Sequence, residues 1–275
     1  MSAEHADLYA VFGNPIAHSK SPQIHAMFAK QTGQCMQYEK RLAPLDGFST
    51  SIADFIAQGG RGANITVPFK LQAHALASQL SARALAAGAV NTLSFIDGQI
   101  HADNTDGLGL VRDIVHNAGQ TIAGQRVLIL GAGGATRGTL LPLLQEAPHS
   151  LTVANRTASN AAALAQAFAN QAGDCQLHAC GLAEIHGQFD LIINATSASL
   201  NAEMPTLPEG IFAPEALAYD MVYGNTPFLA YAQERGARCR DGLGMLIEQA
   251  AEAFFIWRKV RPETAAVFAT LLSEK

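Results

Sequence analysis

Charge is scarce in this chain of 275 residues, and several kinds of functional pattern are missing from it. Only 15% of the residues are charged, the formal net charge is −5, and no basic run occurs. Nucleic acids and anionic membrane surfaces are therefore disfavoured as partners, because clustered Lys and Arg side chains bind both. No apolar segment reaches the ~20 residues that a membrane-spanning helix needs, so the sequence predicts no membrane partner.

Cysteine and histidine show no metal-binding pattern. The four cysteines form no CxxC pair, and no pair of the nine histidines shares metal-ligand spacing with a carboxylate. We therefore predict no metal site and expect reduced, mostly buried thiols. The segment Met1–Asp7 carries acid in place of the basic stretch of a signal peptide. These features together favour a cytoplasmic protein.

Almost half of the residues are apolar, and they form short strand-like runs that alternate with helix-like stretches. This alternation predicts βαβ units with largely parallel sheets, which is the pattern of an α/β protein. At ~100–200 residues per domain, the length suggests two domains. A second pattern of strand-like and helix-like runs begins near residue 124, and the domain borders are expected near residues 106 and 242.

Local signals predict individual elements. Ser21 is the expected N-cap of a helix that has Pro22 at its first position. Gly33 is placed to end that helix. Further on, Asp97 and Gly98 form a hairpin signal between two apolar runs, because both types of residue tolerate the positive φ of a tight turn.

A glycine-rich turn follows the strand-like run Arg126–Leu130 and precedes a helix-like stretch. Gly131 permits backbone angles closed to other residues, and Gly133 and Gly134 let a pyrophosphate approach the backbone. The helix N-terminus then offers free N–H groups and a partial positive charge. Thr136 occupies the third glycine slot of the G-x-G-x-x-G fingerprint. The turn predicts a dinucleotide site, and the alternative is a strand–helix turn without a ligand.

The end of the next predicted strand indicates which dinucleotide is bound. An NAD site carries Asp or Glu there, which accepts a hydrogen bond from the ribose 2′-hydroxyl. Here the strand Leu151–Ala154 leads into Asn155, Arg156 and Thr157, without an acid. An arginine and two polar side chains favour the 2′-phosphate of NADP. The alternative is that Thr157 only caps the following helix and Arg156 is solvated.

Several polar residues, most of them in the first half of the chain, are candidate functional residues, each with an ordinary structural alternative. In the predicted strand Ala63–Val67, Asn64 and Thr66 share one face. Pro68 is expected to break this strand, so that Lys70 begins the next helix, as either a catalytic or a solvated lysine. The remaining candidates have alternatives as loop groups, caps, interface aromatics or surface amides, and they are Ser19, Ser21, Asn91, Asp106, Tyr223 and Gln249.

Eight short motifs, in order over nearly the whole chain, resemble those of the shikimate dehydrogenases. They are G-N-P-I-A-H-S-K-S-P at 13–22, N-I-T-V-P-F-K at 64–70, G-A-V-N-T at 88–92, D-N-T-D-G at 103–107, G-A-G-G-A at 131–135, N-R-T at 155–157, N-A-T-S at 194–197 and D-G-L-G-M-L-I-E-Q at 241–249. Any one of them is weak, but the ordered set is strong.

The resemblance implies a two-domain α/β fold with a cleft between the domains. Residues 1–106 and 243–275 would form the substrate domain, and 107–242 a Rossmann-like NADP-binding domain. The activity would be the reversible NADP-dependent reduction of 3-dehydroshikimate to shikimate, in aromatic amino-acid biosynthesis. Lys70 would be the acid/base group, working with Asp106. A protonated lysine can supply both a stabilising charge and the proton that the carbonyl oxygen gains.

The resemblance also assigns the binding residues. Ser19 and Ser21 would hold the substrate carboxylate, and Tyr223 would close over the substrate. Ring hydroxyls would contact Thr66, Asn91, Asp106 and Gln249, with Lys70 beside them. NADP would contact Gly131, Ala132, Gly133, Gly134, Ala135, Asn155, Arg156, Thr157, Asn160 and Thr196, with Met221 and Gly242 near the nicotinamide.

Two other functions stay open at this point. One is an NAD-using quinate/shikimate dehydrogenase, which an acid after the second Rossmann strand would favour. The other is a non-catalytic metabolite sensor, which loss of Lys70 or Asp106 would favour. Two positions depart from the family pattern, since Asn160 stands where Lys or Arg is frequent and Ser199 where glycine is usual. The expected oligomeric state is a monomer or a homodimer.

Overall fold

A computed structural model describes residues 6–274 of the chain, and these form two compact α/β units. The first unit contains the residues up to Gly109 and those from Ile247 onward, and the second contains Leu110–Leu246. The predicted α/β class is confirmed, whereas the domain borders near residues 106 and 242 stay a prediction. The acidic N-terminal segment considered above lies, up to His5, outside the described residues.

A six-stranded mixed sheet forms the centre of the first unit. Its strands are β1 Asp7–Gly13, β2 Met36–Leu42, β3 Gly60–Ile65, β4 Gln79–Leu80, β5 Thr92–Ile96 and β6 Gln99–Asp103, in the spatial order β2-β1-β3-β5-β6-β4. β1, β2 and β3 are parallel, while β5 is antiparallel to both β3 and β6. The helices of its first segment are α1 Ser21–Thr32, α2 Phe48–Ala57, α3 Lys70–Leu76, α4 Ala82–Ala87 and α5 Asp106–Arg112.

Aromatic and branched side chains fill the core beside this sheet. Phe12 of β1 lies edge-on to Phe48 and Phe55 of α2, and Phe48 stacks on Phe69 with ring centroids 4.7 Å apart. All four rings are at most 1% exposed. Burial of such a side chain stabilises the fold by about 1.5–3 kcal/mol, so α2 and the turn before α3 are fixed against the sheet.

The structure confirms two local predictions and corrects a third. Asp97 and Gly98 both have positive φ, +49° and +74°, and they join β5 to β6 in the predicted hairpin. Ser21, in contrast, is not the N-cap of α1, because that position is occupied by Lys20. The N–H of Ser21 donates to the hydroxyl oxygen of Ser19 at 3.3 Å, and Lys20 makes no side-chain cap bond. Gly33 ends the helix with φ +66°, as predicted.

The second unit contains an entirely parallel six-stranded sheet. Its strands are β7 Arg126–Leu130, β8 Ser150–Asn155, β9 Gln176–Gly181, β10 Phe189–Asn194, β11 Phe212–Asp220 and β12 Arg238–Arg240. Their spatial order, β12-β11-β10-β7-β8-β9, is the 3-2-1-4-5-6 order of a Rossmann-type sheet read from the other side. The longer helices of this part are α6 Gly134–Gln145, α7 Ala158–Phe168 and α8 Pro227–Gln233, and the chain continues through α9 Leu243–Arg258 and α10 Ala265–Ser273.

A buried carboxylate ties the first residues of the second unit to its last ones. Asp113 follows α5 and is fully buried, and its oxygens accept hydrogen bonds from Arg240 at 2.7 Å and from the hydroxyl of Tyr219 at 2.8 Å. Gly244 packs so closely that a Cβ there would lie 1.9 Å from the Asp113 carboxylate. The glycine is therefore required by close packing.

The expectation of mostly buried thiols is wrong. All four cysteines are free, but Cys35 and Cys239 are exposed, and Cys175 and Cys180 are half-buried. The two half-buried ones lie at and just before β9, an edge strand, where one side of a side chain faces solvent. Over residues 6–274, no helix has both the length and the apolar character that a bilayer crossing requires.

One histidine lies inside the aromatic core of the first unit. His25 of α1 is fully buried and stacks on Tyr38 of β2, with ring centroids 4.2 Å apart and an interplanar angle of 9°. Phe254 and Trp257 of α9 lie on its other sides. Burial lowers the pKa of His25 to about 3, against a smaller opposing effect of Asn64, so the folded protein keeps this ring neutral.

The buried ring of His25 generates a pH prediction. The unfolded chain binds a proton there below its ordinary pKa of 6.5, whereas the folded chain does so only near 3, so stability falls as the pH drops between these values. We expect this one group to remove about 2 kcal/mol from the free energy of unfolding between pH 7 and pH 5. His25→Phe should abolish that part of the loss in urea titrations.

The control for that experiment is His178→Asn, since His178 is exposed on β9, and the loss of stability caused by His25 should persist in this variant. If the free energy of unfolding falls equally between pH 7 and pH 5 in the wild type and in His25→Phe, this account of His25 is contradicted.

Candidate active site

The substrate candidates of the first unit meet at one edge of its sheet. β3 and β1 are parallel, and β6 runs in their direction because β5 is antiparallel to both of its neighbours. The carboxyl ends of β1, β3 and β6 therefore lie at the same edge as the amino end of β5. The segments at that edge are 14–20 after β1, 66–70 after β3, 88–91 before β5 and 104–106 after β6.

An ion pair joins two of these segments. Lys70 is the first residue of α3, as predicted, and Asp106 is the first residue of α5. The Nζ atom of Lys70 lies 2.5 Å from Oδ2 of Asp106, and the side chains are 30% and 14% exposed. A cation at a helix N-terminus opposes the helix dipole, and the carboxylate offsets this cost. The ammonium is thus fixed in position while part of it stays accessible.

The buried amide of Asn91 holds the Lys70–Asp106 pair in place through a hydrogen bond to Asp106. Asn91 is 2% exposed, and its Nδ2 atom lies 2.8 Å from Oδ1 of Asp106, 2.9 Å from Oγ1 of Thr105 and 3.2 Å from Oε1 of Gln249. Its Oδ1 atom accepts the backbone N–H of Thr105 at 2.8 Å. One buried side chain therefore brings together four of the predicted residues: Lys70, Asn91, Asp106 and Gln249.

Thr66 and the two serines lie at the ends of β3 and β1. Thr66 follows the end of β3, so strand alternation does not orient it, and its backbone N–H donates to the carbonyl of Phe12 at 2.9 Å. A Cβ at Gly13 would lie 2.5 Å from the Thr66 methyl group, which explains the glycine. Ser19 and Ser21 follow β1 and are linked to each other through the bond described above.

Two residues of this network, Tyr38 and Asn64, received no binding or catalytic role from the sequence. The hydroxyl of Tyr38 donates to Oδ1 of Asn64 at 2.7 Å, and Nδ2 of Asn64 donates to the Asn91 carbonyl and to Oγ1 of Thr92, both at 3.2 Å. Burial raises the pKa of Tyr38 well above its usual value, so the hydroxyl remains a donor. Asn64 could have been chosen from its place in the motif at 64–70, but Tyr38 carries no such signal.

The glycine turn of the second unit lies between β7 and α6, at the switch point of the sheet. Gly131 has φ +103°, and a Cβ on it would lie 3.2 Å from the Thr196 methyl group. Thr136, in the third glycine slot, is buried and donates to the Gly131 carbonyl at 2.8 Å, which closes the turn. A Cβ at Gly133 or Gly134 would meet nothing within 4 Å. The α6 N-terminus is therefore open for an anion.

The residues after β8 adjoin this turn. Oδ1 of Asn155 accepts the Ala132 N–H at 3.3 Å, and its Nδ2 donates to the Thr157 carbonyl at 2.9 Å. Thr157 is the N-cap of α7 but makes no side-chain cap bond. Arg156 is exposed, and within residues 6–274 no ion pair holds it. Ala135 is exposed at the start of α6 and Asn160 in the first turn of α7.

A buried acid organises the ends of β10 and β11. The carboxylate of Asp220 accepts from Oγ of Ser199 at 2.7 Å, from Nδ2 of Asn194 at 3.0 Å and from Oγ1 of Thr226 at 2.7 Å. Thr196 donates to Oδ1 of Asn194 at 2.7 Å. Ser199 thus has two partners in this network. Sequence reasoning missed Asp220, although an acid that ends a buried strand is a recognisable signal.

The remaining candidates follow this network along the chain. Met221 comes directly after Asp220, and a Cβ at Gly242 would lie 2.2 Å from the Met221 carbonyl oxygen, so these two residues are in contact. Tyr223 is 42% exposed in the same loop of the second unit. In the part of the chain that the structure describes, no group of three His, Cys, Asp or Glu side chains could hold a metal ion.

Comparison with known families decides what this arrangement is related to. Three family models match, described as shikimate dehydrogenase substrate binding domain over residues 11–93, shikimate / quinate 5-dehydrogenase over 113–203 and shikimate 5'-dehydrogenase C-terminal domain over 242–272. A shikimate dehydrogenase (NADP(+)) of Dechloromonas aromatica is 62% identical over 270 residues, which is 97% of each chain. The chain belongs to the shikimate dehydrogenase family. The resemblance drawn from the motifs is confirmed.

Solved structures agree with a shikimate dehydrogenase fold. An Ael1 enzyme from Pseudomonas putida superposes with a TM-score of 0.90 at 48% identity, covering 97% of this chain and 98% of that one. A shikimate 5-dehydrogenase from Thermus thermophilus, solved with NADP(H) and shikimate, gives 0.83 at 32% identity, covering 94% and 96%. The Lys70–Asp106 pair and the glycine turn thus lie within a fold that both solved structures share.

The open space at Gly133 generates a prediction that separates stability from binding. Gly133→Ala adds a methyl group that meets no protein atom, so the free energy of unfolding should change by less than about 1 kcal/mol. The same methyl group would obstruct a pyrophosphate at the α6 N-terminus, and NADP affinity should fall tenfold or more. Thermal unfolding and fluorescence titration with NADP⁺ measure the two effects, and unchanged affinity would remove Gly133 from the site.

Proposed function

We propose that this protein is an NADP-dependent shikimate dehydrogenase that reversibly reduces 3-dehydroshikimate to shikimate. The observation that carries the proposal is the Lys70–Asp106 ion pair, 2.5 Å long and set among amide and hydroxyl groups. The name of the Dechloromonas aromatica relative supports both the substrate and the cofactor. Substrate binding is assigned to residues 1–106 and 243–275, and NADP binding to residues 107–242.

The residues around the glycine turn fit NADP. An anion can approach the open backbone at Gly133 and the α6 N-terminus. Arg156, exposed and outside any described ion pair, is suited to the 2′-phosphate, and no acid stands near it in sequence to repel that group. The proposed contacts are Gly131, Ala132, Gly133, Gly134, Ala135, Asn155, Arg156, Thr157, Asn160, Thr196, Met221 and Gly242.

The side chains of the first unit suit a polyol acid. Thr66, Asn91 and Gln249 offer hydroxyl and amide groups that are proposed to bond ring hydroxyls of the substrate, and an analogue without those hydroxyls would lose these bonds. Ser19 and Ser21 are proposed to bind the substrate carboxylate. Tyr223, which is partly exposed, is proposed to close over the substrate.

Lys70 is the general acid and base in this proposal. When bound, NADPH supplies the hydride that reaches C3 of the substrate. The C3 oxygen then gains negative charge, and the Nζ ammonium of Lys70 both stabilises that charge and donates the proton. Asp106 orients Nζ through the short contact, and it bonds a neighbouring hydroxyl with its remaining acceptor capacity. In the reverse direction, neutral Lys70 accepts the proton from the C3 hydroxyl.

Two rivals predict different outcomes in one assay. The NAD-using quinate/shikimate dehydrogenase is disfavoured by Arg156 in place of an acid, and the non-catalytic sensor by the presence of both Lys70 and Asp106. Purified protein is mixed with shikimate or quinate and with NADP⁺ or NAD⁺, and the absorbance of the reduced cofactor is followed. We expect fastest turnover with shikimate and NADP⁺. Fastest turnover with quinate and NAD⁺ would overturn the proposal, and no turnover in any mixture would favour the sensor.

The acid/base role of Lys70 leads to a specific variant. Lys70→Ala should lower kcat by ~10²-fold or more, which is the size of general-acid effects, while shikimate binding by calorimetry is largely kept. Lys30→Ala is the matched control, because Lys30 is an exposed lysine in the last turn of α1. Near-normal turnover of Lys70→Ala would remove Lys70 from the mechanism. Location in the cytoplasm and a monomeric or dimeric state stay predictions.

A further inference from the structure

A second cluster of charged side chains lies in the first unit, beside the one formed by Lys70 and Asp106. Arg83 of α4 holds Asp103 through two parallel bonds, from Nε to Oδ1 at 3.1 Å and from Nη2 to Oδ2 at 2.7 Å. The same Nη2 atom lies 3.6 Å from Oε1 of Glu252 on α9. The Arg83 side chain is 25% exposed and that of Glu252 only 8%, so solvent screens this contact less than it screens a surface pair.

The two partners of Arg83 belong to the segments that carry proposed site residues. Asp103 ends β6, three positions before Asp106, and it also accepts from Oγ of Ser81 at 2.6 Å and from the Asn104 N–H at 2.7 Å. Glu252 lies three positions after Gln249 on α9, hence on the same face of that helix. Arg83 therefore links the turn of Asp106 to the helix of Gln249.

We propose that Arg83 is a positioning residue, which fixes the Asp106 turn against α9 so that Asn91 can bond Asp106 and Gln249 together. This rests on the proposed function, because Asp106 and Gln249 act there on the substrate. Within residues 6–274, the hydrogen bonds and ion pairs of Arg83 go to Asp103 and Glu252 and not to the Lys70–Asp106 pair. The planar guanidinium is needed, since its fork spans both Asp103 oxygens while the outer nitrogen also faces Glu252.

Two hydrogen bonds of Asn91 depend on this link. Nδ2 of Asn91 reaches Asp106 at 2.8 Å and Gln249 at 3.2 Å at the same time. A shift of the turn relative to α9 would break one of these bonds and free the carboxylate that orients Lys70. A displacement of ~1 Å can cost ~10²-fold in rate, so even a partial relaxation is measurable.

The test compares Arg83→Met and Arg83→Lys with a matched control. Arg126 makes an equivalent two-bond contact with Asp190 in the second unit, at 2.9 Å and 2.7 Å, and Arg126→Met removes a pair of the same kind. We expect Arg83→Met to lower kcat tenfold or more and to raise the KM for shikimate, with the KM for NADP⁺ unchanged. Arg83→Lys should have an intermediate kcat, and Arg126→Met should stay within twofold of the wild type.

Assays are run well below each variant's melting temperature, and circular dichroism measures the folded fraction. If Arg83→Met does not fold, the intermediate kcat of Arg83→Lys provides the test. The inference is overturned if the folded Arg83 variants keep the wild-type kcat, or if Arg126→Met loses as much. It is also overturned if Arg83→Met raises the KM for NADP⁺ as much as the KM for shikimate. Wild-type protein that does not oxidise shikimate would instead refute the proposed function.

Discussion

The candidate site depends on one buried amide, that of Asn91. Its Nδ2 atom faces three acceptors, on Asp106, Thr105 and Gln249, and its Oδ1 atom takes the Thr105 N–H. Buried polar groups of this kind must be bonded, because each unpaired one costs about 1–3 kcal/mol. The turn after β6, the start of β5 and helix α9 are consequently held in one arrangement. The position of the Lys70–Asp106 pair depends on that arrangement, because Asn91 bonds one oxygen of Asp106 and Lys70 bonds the other.

In the second unit, the glycine turn between β7 and α6 must leave its backbone accessible to an anion and still keep a defined conformation. Gly131 adopts a φ of +103° that most residues avoid, and the hydroxyl of Thr136 closes the turn by donating to the Gly131 carbonyl. Gly133 and Gly134 then have free space beside them. Thr136 in place of a third glycine looks in the sequence like a weakened fingerprint. In the structure its side chain supplies a buried hydrogen bond that closes the turn.

Much of this was predictable, and the failures have physical causes. The hairpin at Asp97 and Gly98, the end of α1 at Gly33 and the start of α3 at Lys70 follow from local backbone preferences. The bond from Tyr38 to Asn64 does not, because it joins residues 26 positions apart on strands that are not neighbours in the sheet. Likewise, the four donors of Asp220 come from three separate segments. The family motifs identify the chemistry, whereas the supporting bonds depend on tertiary packing that no short pattern contains.

The central claim is that Lys70 and Asp106 act as one catalytic unit, and a double-mutant cycle tests it most directly. kcat is measured with shikimate and NADP⁺ for the wild type, Lys70→Ala, Asp106→Ala and the double variant. Because residues that act as a unit are strongly non-additive, we predict that the double variant is no slower than the slower single variant, within about threefold. Losses that multiply would mean that the two residues contribute independently, and this would contradict the account.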